Sequence, residues 1–212
     1  LDYISPISNL GMVVIWIIYL QLFFIQYRRG SRPYLVIHHG QNESPDSMCL
    51  LVNMGKEPVH VQCVQALVKT CDDREDLLTV TRYDRINPDD ANLRQSLRQG
   101  PLEPGGFLVL GSFRDIVLGA RSNDDDAGER LENVSMFTIR TAMLHGASSH
   151  PVGARRRFYL RHGGTSCVYP ENIYTEQLSK RRNKREVSHW IEAELNPRNE
   201  GWSINENTDQ SA

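Results

Sequence analysis

The chain has 212 residues, with 24 Lys and Arg against 26 Asp and Glu and a formal net charge of −2. Hydrophobic residues make up 40% and charged residues 24%, a globular mixture that excludes a collagen and a wholly disordered chain. Four Cys are too few for a disulfide scaffold, and the near-neutral balance gives no support to a nucleic-acid partner.

The first nine residues are a short leader to the most distinctive segment. Leu10–Tyr27 reads LGMVVIWIIYLQLFFIQY, and no charge occurs between Asp2 and Arg28. In a helix its 18 residues span roughly 27 Å, the hydrocarbon thickness of a thin bilayer. The β-branched run Val13, Val14, Ile15, Ile17, Ile18 suits lipid better than a soluble helix, and Tyr27 suits the interface. A signal peptide has its positive charge before the apolar run and small residues after it. Here Asp2 precedes and QYRRGSR follows, the reverse order. The segment reads as a transmembrane helix. Within it, the Gln21 amide is a candidate contact to a partner helix in the membrane. Arg28, Arg29 and Arg32 form a basic juxtamembrane linker over residues 28–32. Positive flanks stay on the cytoplasmic side, so the expected topology puts the N-terminus outside an inner cell membrane and the rest in the cytoplasm.

From Pro33 the pattern changes to alternation. Tyr34–His38, Ser47–Met54, Pro58–Thr70, Leu77–Tyr83, Phe107–Leu110, Ile116–Leu118, Met136–Leu144 and Arg156–Arg161 read as strands. In Pro58–Thr70, Val59, Val61 and Cys63 alternate with His60 and Gln62, which predicts one buried face. Turn signals separate the strands at Gly55, Asp72-Asp73, Gly105-Gly106 and Gly146. One helix is predicted after Asn87-Pro88-Asp89-Asp90, with Leu93 and Leu97 on one face and Gly100-Pro101 as its stop. These elements predict an all-β antiparallel sandwich over residues 33–168. Leu50–Leu67 and Pro104–Phe107 resemble the paired strands of immunoglobulin-like domains, although the Cys…Trp…Cys pattern of true immunoglobulin domains is absent. Residues 169–212 read as a tail, helical in part over Tyr174–Leu195 and polar beyond Pro197.

The chemistry-bearing candidates are few. Phe158–Gly163 with Thr165 is similar to the signature of histidine phosphatases. That resemblance implies a phosphorylated His162 and a phosphate-holding Arg161, on a strand that opens a long α/β domain. The residues after Gly163 are basic and polar and hold no second Arg-His pair, so the motif is read as a strand end with a Gly-Gly turn. His60 and Cys63 stand three apart on a strand and are placed on opposite faces, unable to share a metal. Asn123–Asp126 with Gly128 does not fit the spacing of a calcium loop. No catalytic, cofactor or metal residue is therefore assigned. Cys49 and Cys63 are expected in the core as reduced thiols, and the sequons at Asn42 and Asn133 lie on the cytoplasmic side of this topology.

Charge clusters remain. Lys180, Arg181, Arg182, Lys184 and Arg185 place five cations in six residues, and Arg155-Arg156-Arg157 adds three. Either the Lys180–Arg185 run is a solvated helix face, or it contacts an anionic lipid or protein near the membrane. The functional expectation is a single-pass protein whose sandwich serves as an interaction module or accessory subunit of a membrane assembly, with the bilayer, another membrane protein or further copies of itself as partners. The alternative is a module that senses a ligand or anionic lipid, and a more remote one is a membrane-tethered phosphatase using Arg161-His162-Gly163.

Overall fold

The computed structural model describes residues 4–30, 32–40, 42–80, 98–119, 124–146, 150–163 and 166–195. The apolar segment is a helix, α1 (Ile4–Gly30), and the stretch Asn9–Tyr27 within it is long and apolar enough to cross a membrane. Apolar residues fall on all its sides, and none of that stretch is buried against the rest of the chain.

Two antiparallel sheets follow. The smaller holds β1 (Leu35–His39), β2 (Met48–Asn53) and β6 (Phe107–Ser112) in the order β1-β2-β6. The larger is built on β3 (Val59–Thr70), β7 (Val134–His145) and β8 (Val152–Arg161), with β7 in the middle. The outer edge of β3 is shared by β4 (Glu75–Thr79) and β5 (Gly100–Leu102), and that of β8 by β9 (Cys167–Pro170) and β10 (Glu176–Leu178). The chain is thus mostly β-sheet with a few helices. The helix expected over 87–100 lies outside the described residues up to position 97.

The two sheets face each other across one core. Leu35, Ile37, Cys49, Leu51 and Leu110 from the smaller sheet meet Val64, Ala66, Ile139, Met143 and Phe158 from the larger. At its centre Phe113, Phe137 and Phe158 stand with ring centroids 5.1–5.6 Å apart. Phe113 belongs to a short helix, α2 (Phe113–Leu118), which corrects the strand expected over Ile116–Leu118. The physical cause is a cap. The Ser112 hydroxyl accepts from the Asp115 N–H at 3.0 Å and donates to the Asp115 carboxylate at 2.8 Å, which starts a helical turn ahead of the apolar run. A second short helix, α3 (Ala127–Glu132), adds Ala127 and Leu131 to the same core.

Strict alternation along β3 is also corrected. Val61 pairs with Met143 and Cys63 with Ala142, so Gln62 is an inserted bulge residue. Val59 and Val61 face the smaller sheet before the bulge, and Val64, Ala66 and Val68 do so after it. Cys63 therefore turns to the opposite face, into a second cluster with Ala142 and Leu178. The bulge puts His60 on that same side. It is nevertheless exposed and hydrogen-bonded to Gln62 at 2.8 Å, whereas Cys63 is buried. Burial pushes the Cys63 thiol up to about 12 and raises that of Cys49 too. Both are free thiols.

The open edge of β1 is closed by side chains rather than by a strand. Gln177 accepts from the Leu35 N–H at 3.2 Å and donates to the Leu35 carbonyl at 2.6 Å, replacing a peptide unit. The Ile37 N–H donates to the Thr175 hydroxyl at 3.0 Å, and the Ile37 carbonyl accepts from Arg156. Arg156 is buried between the sheets. Its other terminal nitrogen donates to the carbonyls of Asn172 (3.1 Å) and Ile173 (3.2 Å), and its guanidinium lies 5.5 Å from the Phe158 ring centre. Burial, His38 and the Arg156 charge together hold the His39 pKa below its ordinary value.

Arg156 is expected to be irreplaceable by an apolar residue of similar length. Arg156→Met strips the buried Ile37 carbonyl of its donor and releases the less buried carbonyls of Asn172 and Ile173, and at about 1–3 kcal/mol for a buried group left unpaired the loss should be about 1–3 kcal/mol. Denaturant unfolding checks this; a variant as stable as the parent would show that the carbonyls find other partners.

Candidate functional site

The residues singled out by sequence fall in three places. Arg28 and Arg29 lie in the last turn of α1, and Arg32 follows it, exposed. Gln21 is exposed on α1, where no described residue covers it. Lys180, Arg182, Lys184 and Arg185 surround the start of a C-terminal helix, α4 (Lys184–Leu195), with Arg181–Asn183 forming a 3₁₀ turn before it.

Part of the segment read as a tail is packed onto the larger sheet. β10 pairs with β8, and α4 lies on the outer face of that sheet. Val187, Trp190 and Ile191 have the spacing of one helix face, and they cover Cys63, Ala142 and Leu178. Gly153 makes the close approach possible. A Cβ there would stand 2.8 Å from the Val187 side chain, 3.0 Å from Trp190 and 3.2 Å from the Thr141 carbonyl. Polar groups fasten the same contact. Gln65 donates to the Trp190 carbonyl (3.0 Å) and the Glu194 carboxylate (3.2 Å) and accepts from Arg140 (2.9 Å), whose guanidinium lies 4.9 Å from the Trp190 ring centre.

The opposite face of α4 carries the basic residues. Lys184, Arg185, Ser188, His189 and Glu192 line an open cavity of about 490 Å³ together with His150. Two cations, two imidazoles and a hydroxyl converge there against one carboxylate. Such a lining can hold an anion by charge-assisted hydrogen bonds. Sequence reasoning found Lys184 and Arg185 as part of a charge run. It did not find His150 or His189, which join them only because the β7–β8 connection meets α4.

The Arg155–Arg157 run dissolves into separate roles. Arg155 pairs with Glu176 at 2.7 Å and Glu186 at 2.8 Å, and Arg157 with Glu171 at 2.9 Å. Arg156 points the other way, into the core. Alternation along β8 splits the triplet, so it does not form a single basic surface.

Arg161 and His162 are turned to different partners. The Arg161 guanidinium lies 5.9 Å from the Tyr169 ring centre, and His162 contacts the Val134 carbonyl through Nε2 at 2.8 Å. Among the described residues no cluster of three His, Cys, Asp or Glu could hold a metal ion. In the acidic loop, Asp126 pairs with Arg130 of α3 at 2.7 Å.

One feature had no prominent sequence signal. Asn53 is fully buried at the end of β2 and ties three loops together. Its side chain donates to the carbonyls of Glu57 (3.0 Å) and Leu102 (2.9 Å) and accepts from the Gly55 N–H (2.9 Å). Its backbone exchanges hydrogen bonds with Gly105 and Gly106, and the adjacent Met54 N–H donates to the Tyr34 carbonyl at 2.8 Å. Tyr34, Met54 and Phe107 are thereby held side by side at the end of the smaller sheet that follows α1.

No protein-family model, curated protein or solved structure matches this chain.

Gly153→Ala is expected to push α4 away from β8, at the cost of about 1–3 kcal/mol typical of an overpacked contact. Hydrogen exchange should rise in α4 and β10 ahead of β3 and β7. Unchanged protection in α4 would refute the tight fit.

Proposed function

We propose that the chain is a single-pass membrane-anchored protein whose β-domain binds another membrane protein, as an accessory or scaffold subunit of a membrane assembly. The observation that carries this reading is the association of two unlike parts: a 27-residue helix with no buried face along its apolar stretch, and a two-sheet domain starting five residues after its end. The helix has no use for its apolar surface within the chain, and the bilayer supplies one. Arg28, Arg29 and Arg32 put the β-domain on the cytoplasmic side. Gln21 gives the helix a polar contact for a neighbour in the membrane. The finer fold assignment, an immunoglobulin-like sandwich, is part of the same proposal and rests on two packed antiparallel sheets. Recruitment by strand addition at β1 is disfavoured, because Gln177, Thr175 and Arg156 already occupy that edge. Protease added to sealed cells is expected to spare the β-domain, and cross-linking in intact membranes should join it to a membrane protein or a second copy. Digestion from outside overturns the orientation; an uncross-linked monomer overturns the assembly.

A second reading is favoured by the cavity on α4. Its Lys184, Arg185, His150 and His189 suit the phosphate of an anionic lipid headgroup, which would make the β-domain a sensor of the leaflet it is tethered to. At about 1 kcal/mol per cation near a headgroup, the double substitution Lys184→Gln, Arg185→Gln should weaken binding of a short-chain anionic phospholipid by about 30-fold. Calorimetric titration of the detergent-solubilised protein measures this. Equal affinities in parent and variant would remove the reading.

A further inference from the structure

The outward face of the smaller sheet departs from what an antiparallel sheet with one solvated face should show. Such faces alternate to polar residues. Here the row across the three strands nearest α1 is Val36, Val52 and Phe107, paired strand to strand, and Tyr34 and Met54 extend it. The exposures of Tyr34, Met54 and Phe107 are 41%, 61% and 63%. The larger sheet presents Arg155, Arg157 and Tyr159 on its outer face instead, with α4 over part of it.

We propose that this tip, formed by Tyr34, Met54 and Phe107, is a membrane-docking surface that seats in the headgroup–acyl boundary of the same bilayer α1 spans. The inference rests on the anchor reading above and goes beyond it: the domain lies on the membrane instead of swinging below it. Three observations select lipid as the occupant. Gly30 and Leu35 are five residues apart, so β1 starts within about 18 Å of the helix end, however the linker runs. Arg32 and Lys56 are exposed beside the tip and complement an anionic leaflet; Glu103 of the neighbouring loop and Glu57, which meets His145 at 3.4 Å, are the opposing charges. The tip offers three large side chains, far short of the roughly 800 Å² per partner that a stable protein interface buries. A lipid surface has no such threshold for a domain that is already tethered, because the tether supplies the effective concentration. Asn53 gives the tip its rigidity by holding both loops to one buried amide.

Spin labels in the full chain, reconstituted in vesicles of phosphatidylcholine mixed with an anionic phospholipid, test this. The background is Cys71→Ser, Cys167→Ser, since Cys49 and Cys63 are buried. Labels at Met54→Cys and Phe107→Cys are expected to collide preferentially with oxygen over a water-soluble nickel chelate. The label at Ile18→Cys within α1 should do the same, and one at Tyr159→Cys the reverse. If positions 54 and 107 behave like 159, the docking surface does not exist. Shielding of 54 and 107 from both reagents means that protein covers the tip, and this also overturns the proposal. A water-exposed label at position 18 instead overturns the anchor itself, so the two failures are distinguishable.

Discussion

The backbone of β1 must find hydrogen-bond partners on the side away from β2, and the fold is arranged around supplying them. An edge strand left open presents N–H and C=O groups to any passing chain. Here β10 lends a glutamine amide that mimics a peptide unit, the preceding segment lends a threonine hydroxyl, and β8 sends an arginine through the core to the Ile37 carbonyl. The same arginine gathers the carbonyls of Asn172 and Ile173, so the two sheets and the connection between β9 and β10 share one buried charge. The arrangement locks the first strand after α1 to the last of the described strands.

The larger sheet divides its two faces by chemistry. Inward positions of β3, β7 and β8 carry the apolar core, and outward ones carry arginines that either pair with glutamates or stack under α4. Exposed ion pairs contribute little stability each, but they neutralise what would otherwise be a strongly basic face. The basic character that remains is displaced onto the far side of α4, where Lys184 and Arg185 meet His150 and His189. Gly153 makes this possible, since any side chain there would hold α4 away from the sheet.

Large apolar side chains are exposed along α1, at the tip of the smaller sheet and, elsewhere, at Ile173 and Tyr174 between β9 and β10. The first two lie on either side of the short linker that contains Arg32. Exposed apolar surface of this extent calls for a partner. Under the docking proposal, one bilayer covers α1 and the tip together.

Local sequence by itself determined the long apolar helix and most strands. Eighteen uncharged positions permit few other structures, and period-two alternation is a direct consequence of side chains projecting to opposite sides of a strand. It determined the β-rich class for the same reason. What it could not determine were choices between partners distant in the chain. The bulge at Gln62 reverses the parity of β3 only because β7 imposes its register, and Ile116–Leu118 is apolar in the same way whether strand or helix. Three consecutive arginines look alike until alternation sends one into the core and two to separate glutamates. The docking of α4 depends on a glycine 34 positions before Val187. Periodicity is a short-range property and can be read from a window of residues; burial, edge closure and charge pairing are settled by which windows meet, and only the tertiary structure decides that.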